Sequence, residues 1–218
     1  MPPMHAPGHM MSLGIQTELI YSFVIIVCSL LIYFGTRELY SLSKYKGIKY
    51  FREAFLFFAA AFFFRSFIKF LLIFFGIGRP HELSPIYFGI AALFIFMFAS
   101  SMAIFYLLYS MLWKKSPKLI YLFYILAILI SIVSIIFNST FVILGVYLLL
   151  IVFIVSIMIL AHKKSNMYII YILISLFLIL NIIDILLPNF LQLYQILIYL
   201  ISLTLFLTIF YKVTKKTG

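Results

Sequence analysis

Only five of the 218 residues are acidic, against sixteen Lys and Arg. Charged side chains make up 10% of the chain and hydrophobic ones 67%, which leaves too little polar surface to cover a water-soluble globule. A single cysteine, Cys28, excludes an intrachain disulfide and a cysteine-based zinc site. None of the four histidines, His5, His9, His81 and His162, falls well inside an apolar run, so axial haem ligation within a helix bundle is not expected. The chain also lacks a Gly-rich phosphate loop, an HExxH motif, paired aspartates at metal spacing and a serine next to a base. We therefore expect no enzyme and no cofactor.

What the chain does have is long apolar runs, with a mean hydropathy of +1.26. Seven can be delimited, at residues 13–35, 54–75, 85–112, 119–137, 141–161, 167–187 and 190–211. Each is close to the roughly 20 residues a helix needs to cross ~30 Å of hydrocarbon. They lack the period-two alternation of a barrel strand, so the expected fold is an all-α seven-helix transmembrane bundle. Residues 1–12 read as a flexible outer segment and residues 212–218 as a basic inner tail. No small-residue cleavage site follows the first run, so that run is expected to be retained. Sliding runs one to three over runs five to seven preserves orientation and sets Lys69 against Asp184 and Pro85 against Pro188, a possible 3+1+3 repeat.

The connectors orient the bundle. Thirteen of the sixteen basic residues lie after odd-numbered runs: Arg37, Lys44, Lys46, Lys49 and Arg52, then Lys114, Lys115 and Lys118, then Lys163 and Lys164, and finally Lys212, Lys215 and Lys216. Cytoplasmic loops are enriched in Lys and Arg, so the N-terminus is expected outside and the C-terminus inside, in a multi-pass protein of the cell membrane. Tyr33, Tyr40, Tyr45, Tyr50, Tyr109, Trp113, Tyr121, Tyr168 and Tyr211 gather near the same ends, as an interfacial aromatic belt would. The net charge of +11 thus points to anionic lipid headgroups at the inner loops and not to nucleic acid. Within residues 36–53, apolar Leu39, Leu42, Tyr45 and Ile48 stand against Lys44, Lys46, Lys49 and Arg52, which suits the end of a helix lying on lipid, but ordinary positive-inside anchoring is the preferred reading. These connectors are short, so any cytoplasmic output needs a partner protein.

Ionisable groups inside a span cost about 2.5–3.5 kcal/mol each on insertion scales and normally face the bundle interior with a partner. Glu18, Arg65, Lys69 and Asp184 are such groups, all in the outer halves of their runs. Depth pairs Arg65 with Glu18 and Lys69 with Asp184. Asn181 lies one turn below Asp184, while Gln192 and Gln195 continue along the last run to Tyr199 and Ser202. The candidate ligand-binding or ion-pair cluster is therefore Glu18, Arg65, Lys69, Asn181, Asp184, Gln192 and Gln195, around a cavity lined by runs one, two, six and seven. The alternative is that these charges only lock helices together. No metal site is expected. Met4, His5, His9, Met10 and Met11 offer soft ligands suited to copper(I), but a proline-rich leader without a role is the preferred reading.

Seven spans with an outer N-terminus resemble the architecture of rhodopsin-like receptors, although residues 190–211 contain no lysine for a retinal Schiff base. Count and orientation also resemble the SWEET and PQ-loop transporters, yet no Pro-Gln pair occurs. Both likenesses imply architecture alone. The leading expectation is a receptor-like or sensory module that signals through a partner. A small-solute or ion transporter comes second, with few interior glycines and no mid-run proline to break its helices. A packing subunit of a membrane complex, with Ala59, Ala60, Ala61, Ala99 and Ala103 as contact faces, is third.

Overall fold

The structure is a computed structural model, and it describes residues 13–74, 83–114, 117–137, 155, 168–186 and 192–217. Among these residues the fold is all-helical: α1 (Leu13–Ser43), α2 (Lys46–Phe74), α3 (Leu83–Leu112), α4 (Leu119–Phe137), α5 (Tyr168–Leu186) and α6 (Gln192–Thr217). Thr17–Ser43, Gly89–Leu112, Leu119–Ile136 and Tyr194–Lys215 are each long and apolar enough to cross a membrane, and Ile169–Asp184 is a shorter apolar helix. The run expected at 141–161 lies outside the described residues except for Val155, and the 3+1+3 repeat that depends on it lies partly outside them too.

α2 packs between α1 and α3, α3 also packs on α4, and α6 packs on both α1 and α5. Spacing explains the centre of the bundle. Phe51, Phe55, Phe58 and Phe62 recur every three to four residues and so form one stripe along α2, all buried. That stripe meets Tyr171 and Phe177 of α5 and Phe206 of α6, with ring centroids 6.0–6.4 Å apart. In α3 every residue from Ser101 to Ser110 is buried, the pattern of a helix enclosed on all sides. By contrast, α4 turns Tyr121, Leu122, Ile125, Leu129, Ile132 and Ile136 outward. An apolar face of this extent suits lipid contact.

The first connector departs from expectation. Residues 36–53 belong to the ends of α1 and α2, and the turn between them is only Lys44 and Tyr45. Leu, Arg, Glu and Lys are good helix formers, so charge marks where the bundle meets water without ending the helix. α1 stops at Lys44, whose φ of 52° is left-handed and whose N–H caps the Tyr40 carbonyl at 2.9 Å. α2 can then start against the end of α3 because residue 47 is glycine. A Cβ there would stand 2.9 Å from the Ser110 carbonyl oxygen and 3.1 Å from Trp113 Nε1.

Two further expectations are corrected. Ala59, Ala61, Ala99 and Ala103 are buried, with exposures of 4% or less, within a chain in which α2 packs on α3, so they are used internally and not offered to a partner. The aromatic belt divides: Tyr45, Tyr121 and Tyr211 are exposed, whereas Tyr109 is buried in the core.

Candidate functional site

Three charged side chains from three helices meet near one end of the bundle. Arg65 of α2 donates from Nε and Nη2 to Glu18 Oε1 of α1, at 3.2 and 3.0 Å, and from the same Nη2 to Asp184 Oδ2 of α5 at 2.5 Å. The side chains are 13%, 8% and 4% exposed, so these charge-assisted bonds are shielded from solvent. Helix periodicity adds a second layer of contacts. Tyr21, three residues after Glu18, donates to Asn181 Oδ1 at 3.2 Å and stacks on Tyr199 of α6, with centroids 4.9 Å apart. Asn181, three residues before Asp184, donates from Nδ2 to the Phe177 carbonyl at 2.8 Å, which fixes its amide. One polar layer therefore joins α1, α2, α5 and α6.

Beneath this layer lies a cavity of about 60 Å³ between α2, α3 and α5. Its polar lining is Arg65, Asn181 and Ser100, against Phe58, Phe62 and Phe177. That is room enough for ordered water, which needs about 10–15 Å³ of such space. This cavity differs from the one expected among the first, second, sixth and seventh spans in that α1 and α6 contribute none of its lining; those two helices are in contact, and Tyr21 stacks on Tyr199 between them.

Of the expected cluster, Glu18, Arg65, Asn181 and Asp184 are brought together. The pairing differs: Asp184 is bonded to Arg65, which therefore serves both carboxylates, whereas depth alone had assigned it to Lys69. Gln195 is half-buried on α6, one turn before Tyr199. The side chains of Lys69 and Gln192, and the segment with Met4, His5, His9, Met10 and Met11, lie outside the described residues. Among the described residues no group of three or more His, Cys, Asp and Glu gathers to hold a metal ion. Sequence reasoning missed Tyr21, for which the spacing of three from Glu18 was the available signal.

A second polar layer sits at the opposite end. The Arg52 guanidinium lies 4.9 Å from the Tyr33 ring centre and 5.6 Å from that of Tyr40, and it pairs with neighbouring Glu53 at 3.3 Å. The Tyr106 and Tyr124 hydroxyls share a hydrogen bond of 2.6 Å, and those of Ser110 and Tyr171 one of 2.7 Å. The Tyr50 ring meets Tyr109 at 4.4 Å. Lys114 lies against both Tyr45 and Trp113.

The class these features define is an all-helical, apolar bundle compatible with a membrane protein, with a buried charge cluster in its interior. No protein-family model matches the chain, and no solved structure does. It is 36% identical over 117 residues to an uncharacterized protein of Archaeoglobus fulgidus, a match covering 52% of this chain and 51% of that protein. The chain thus spans about half the length of the relative it matches.

Proposed function

We propose that this is a multi-pass cell-membrane protein with seven crossings, N-terminus outside, acting as a receptor-like or sensory module. The crossing count is supported by helix direction. α2 and α5 run the same way, since Phe51 meets Tyr171, Phe58 meets Phe177 and Arg65 meets Asp184. α4 shares that direction: it is antiparallel to α3, where Phe105 stacks on Phe123 beside the turn, and α3 is antiparallel to α2. Two helices of the same direction require an odd number of crossings between them, and residues 141–161 provide one apolar run of suitable length.

The sensory reading is carried by Arg65, a single guanidinium shared by carboxylates from two other helices. Whatever changes either bond changes how α1, α2 and α5 sit together. α1 continues unbroken from Glu18 to Ser43, roughly 38 Å at 1.5 Å per residue, so a small displacement at the cluster is delivered to the Lys-rich end. A partner protein reading that end would complete the signal. A transporter ranks second, because unbroken α1, α2 and α3 offer no half-helix ends at mid-depth to bind a solute.

Spin-label distance measurements test the coupling. Labels at Lys49 and Ile169, in a Cys28→Ala background in lipid nanodiscs, report the separation of α2 and α5 at the inner end. Asp184→Asn is expected to shift the distance distribution by a few ångström. An unchanged distribution would reduce the cluster to a static lock and remove the sensory reading.

A further inference from the structure

The ion pairs do not use up the Arg65 guanidinium, which carries five N–H groups in a fixed fork. Nε and Nη2 donate to Glu18 and Asp184, whereas Nη1 donates to none of the described residues. Nor is Nη1 enclosed. Arg52 Nε and Trp113 Nε1 are buried nitrogens without a partner, but Nη1 is not one of them, so it borders open space. The open space that Arg65 lines is the cavity of about 60 Å³ between α2, α3 and α5. Asn181 lines it from α5 and keeps one N–H of Nδ2 beyond its bond to the Phe177 carbonyl. Ser100 lines it from α3 and turns its hydroxyl hydrogen back onto the Phe96 and Met97 carbonyls. The rest of the described wall is apolar, with Ala61, Phe62 and Ile104 around the space. An apolar wall with a few convergent donors is how small-ligand sites are commonly built.

We propose that this cavity binds a small uncharged carbonyl compound, a ketone or aldehyde, whose oxygen accepts from Arg65 Nη1 and whose carbon body rests on the phenylalanine wall. Charge decides the class. A cation would face the guanidinium, and an anion would approach Glu18 and Asp184, whose carboxylates hold the other side of the same fork. A hydrocarbon would displace water from Nη1 and leave its N–H groups unbonded in apolar surroundings. An alcohol would bring an O–H of its own that needs a further acceptor, whereas a carbonyl only accepts. Size sets the limit: at about 10–15 Å³ of such space per water-sized sphere the cavity takes about four to six, the bulk of a ketone with roughly three to five carbons. The inference rests on the sensory reading in taking this layer as the place where a stimulus arrives, and it names the stimulus. A carbonyl on Nη1 pulls on the one guanidinium that joins α1, α2 and α5.

The test is carbon-13 NMR of 2-butanone labelled at its carbonyl, titrated with the full chain in detergent. Binding is expected to move the carbonyl line downfield in a saturable way, as a hydrogen bond from a cation does, and to raise the unfolding temperature followed by Trp113 fluorescence. 2-Methyl-1-butene, which has a methylene group in place of the oxygen, should bind about tenfold or more weakly by the same unfolding shift, the worth of one charge-assisted hydrogen bond. Ala61→Leu fills the space from α2 without touching the ion pairs and should abolish the downfield shift. Ile104→Phe fills it from α3 and serves the same purpose should Ala61→Leu fail to fold. A carbonyl line that moves no further than in empty detergent would overturn the proposal and leave water in the cavity. Equal effects of ketone and alkene would overturn it by making the space apolar only, and a shift that survives both substitutions would put the ketone elsewhere. Binding is read here without spin labels, so the two readings fail separately. A failed titration removes the ligand and leaves the distance change on Asp184→Asn standing, whereas unchanged distances beside a positive titration remove the coupling and leave the site.

Discussion

Removing the Arg65 guanidinium should cost far more than removing either carboxylate. Arg65→Met keeps the length and apolar stem of the side chain but leaves Glu18 and Asp184 without the cation that both accept from, at side-chain exposures of 8% and 4%. Taking one partner from a buried ion pair costs about 3–5 kcal/mol, because the remaining charge is uncompensated. Here two carboxylates within 5.5 Å of each other lose the cation they share, so the upper part of that range is expected. Asp184→Asn is different. Arg65 keeps both bonds to Glu18, one charge-assisted bond worth about 1.5–3 kcal/mol is weakened to a neutral one, and repulsion between the carboxylates disappears. Its net cost should stay below about 2 kcal/mol. The triple change Glu18→Gln, Arg65→Met and Asp184→Asn removes every formal charge from the triad and should recover most of the loss, since a buried ion pair replaced by neutral groups of similar volume is often neutral in stability. Equilibrium unfolding in mixed micelles, titrated with SDS, gives these differences on one scale. The argument fails if Arg65→Met is no worse than Asp184→Asn, or if the triple variant is as unstable as Arg65→Met.

Gly47→Ala should destabilise by about 1–3 kcal/mol, because the new methyl group meets backbone at Ser110. Gly35→Ala and Gly89→Ala, with nothing within 4 Å of an added Cβ, serve as controls and should be neutral or up to about 1 kcal/mol stabilising by thermal unfolding. Lys44→Gly relieves a left-handed φ of 52° and should raise stability by up to about 1 kcal/mol, although it removes one basic residue from the turn; a lower melting temperature would contradict this account of the turn. For topology, single cysteines at Ser139 and Ser165, again with Cys28 replaced, should react with impermeant maleimide from opposite faces of intact cells. Labelling of both from one face would exclude a crossing between them.

The parts of this fold that were legible in the sequence are those that depend on one-dimensional pattern. Apolar runs located α1 to α6, and depth along those runs placed Glu18, Arg65 and Asp184 in one layer, since side chains at equal depth in a bundle are the ones able to meet. Direction around each helix axis was not legible. Lys69 and Asp184 have suitable depths, but it is the azimuth of α5, set by packing Phe177 between Phe58 and Phe62, that aims Asp184 at Arg65. Helix ends were hidden for another reason. Residues 36–53 are polar enough to leave the hydrocarbon but contain only helix-compatible side chains apart from Gly47, so polarity was read as a connector where the backbone remained helical. Tyrosine was ambiguous in the same way, because a ring that suits the lipid interface equally suits a buried hydroxyl pair such as Tyr106 with Tyr124.

Between the two polar layers lies the phenylalanine stripe of α2. From Phe51 to Phe62 it extends about 16 Å along the axis at 1.5 Å per residue, closed by Phe177 and Phe206. In electrical terms the stripe is a barrier, because ring carbons offer an ion no ligands. Its stiff rings, packed edge to face and held between two polar ends, instead suit the transmission of force, since one ring cannot shift without its neighbours.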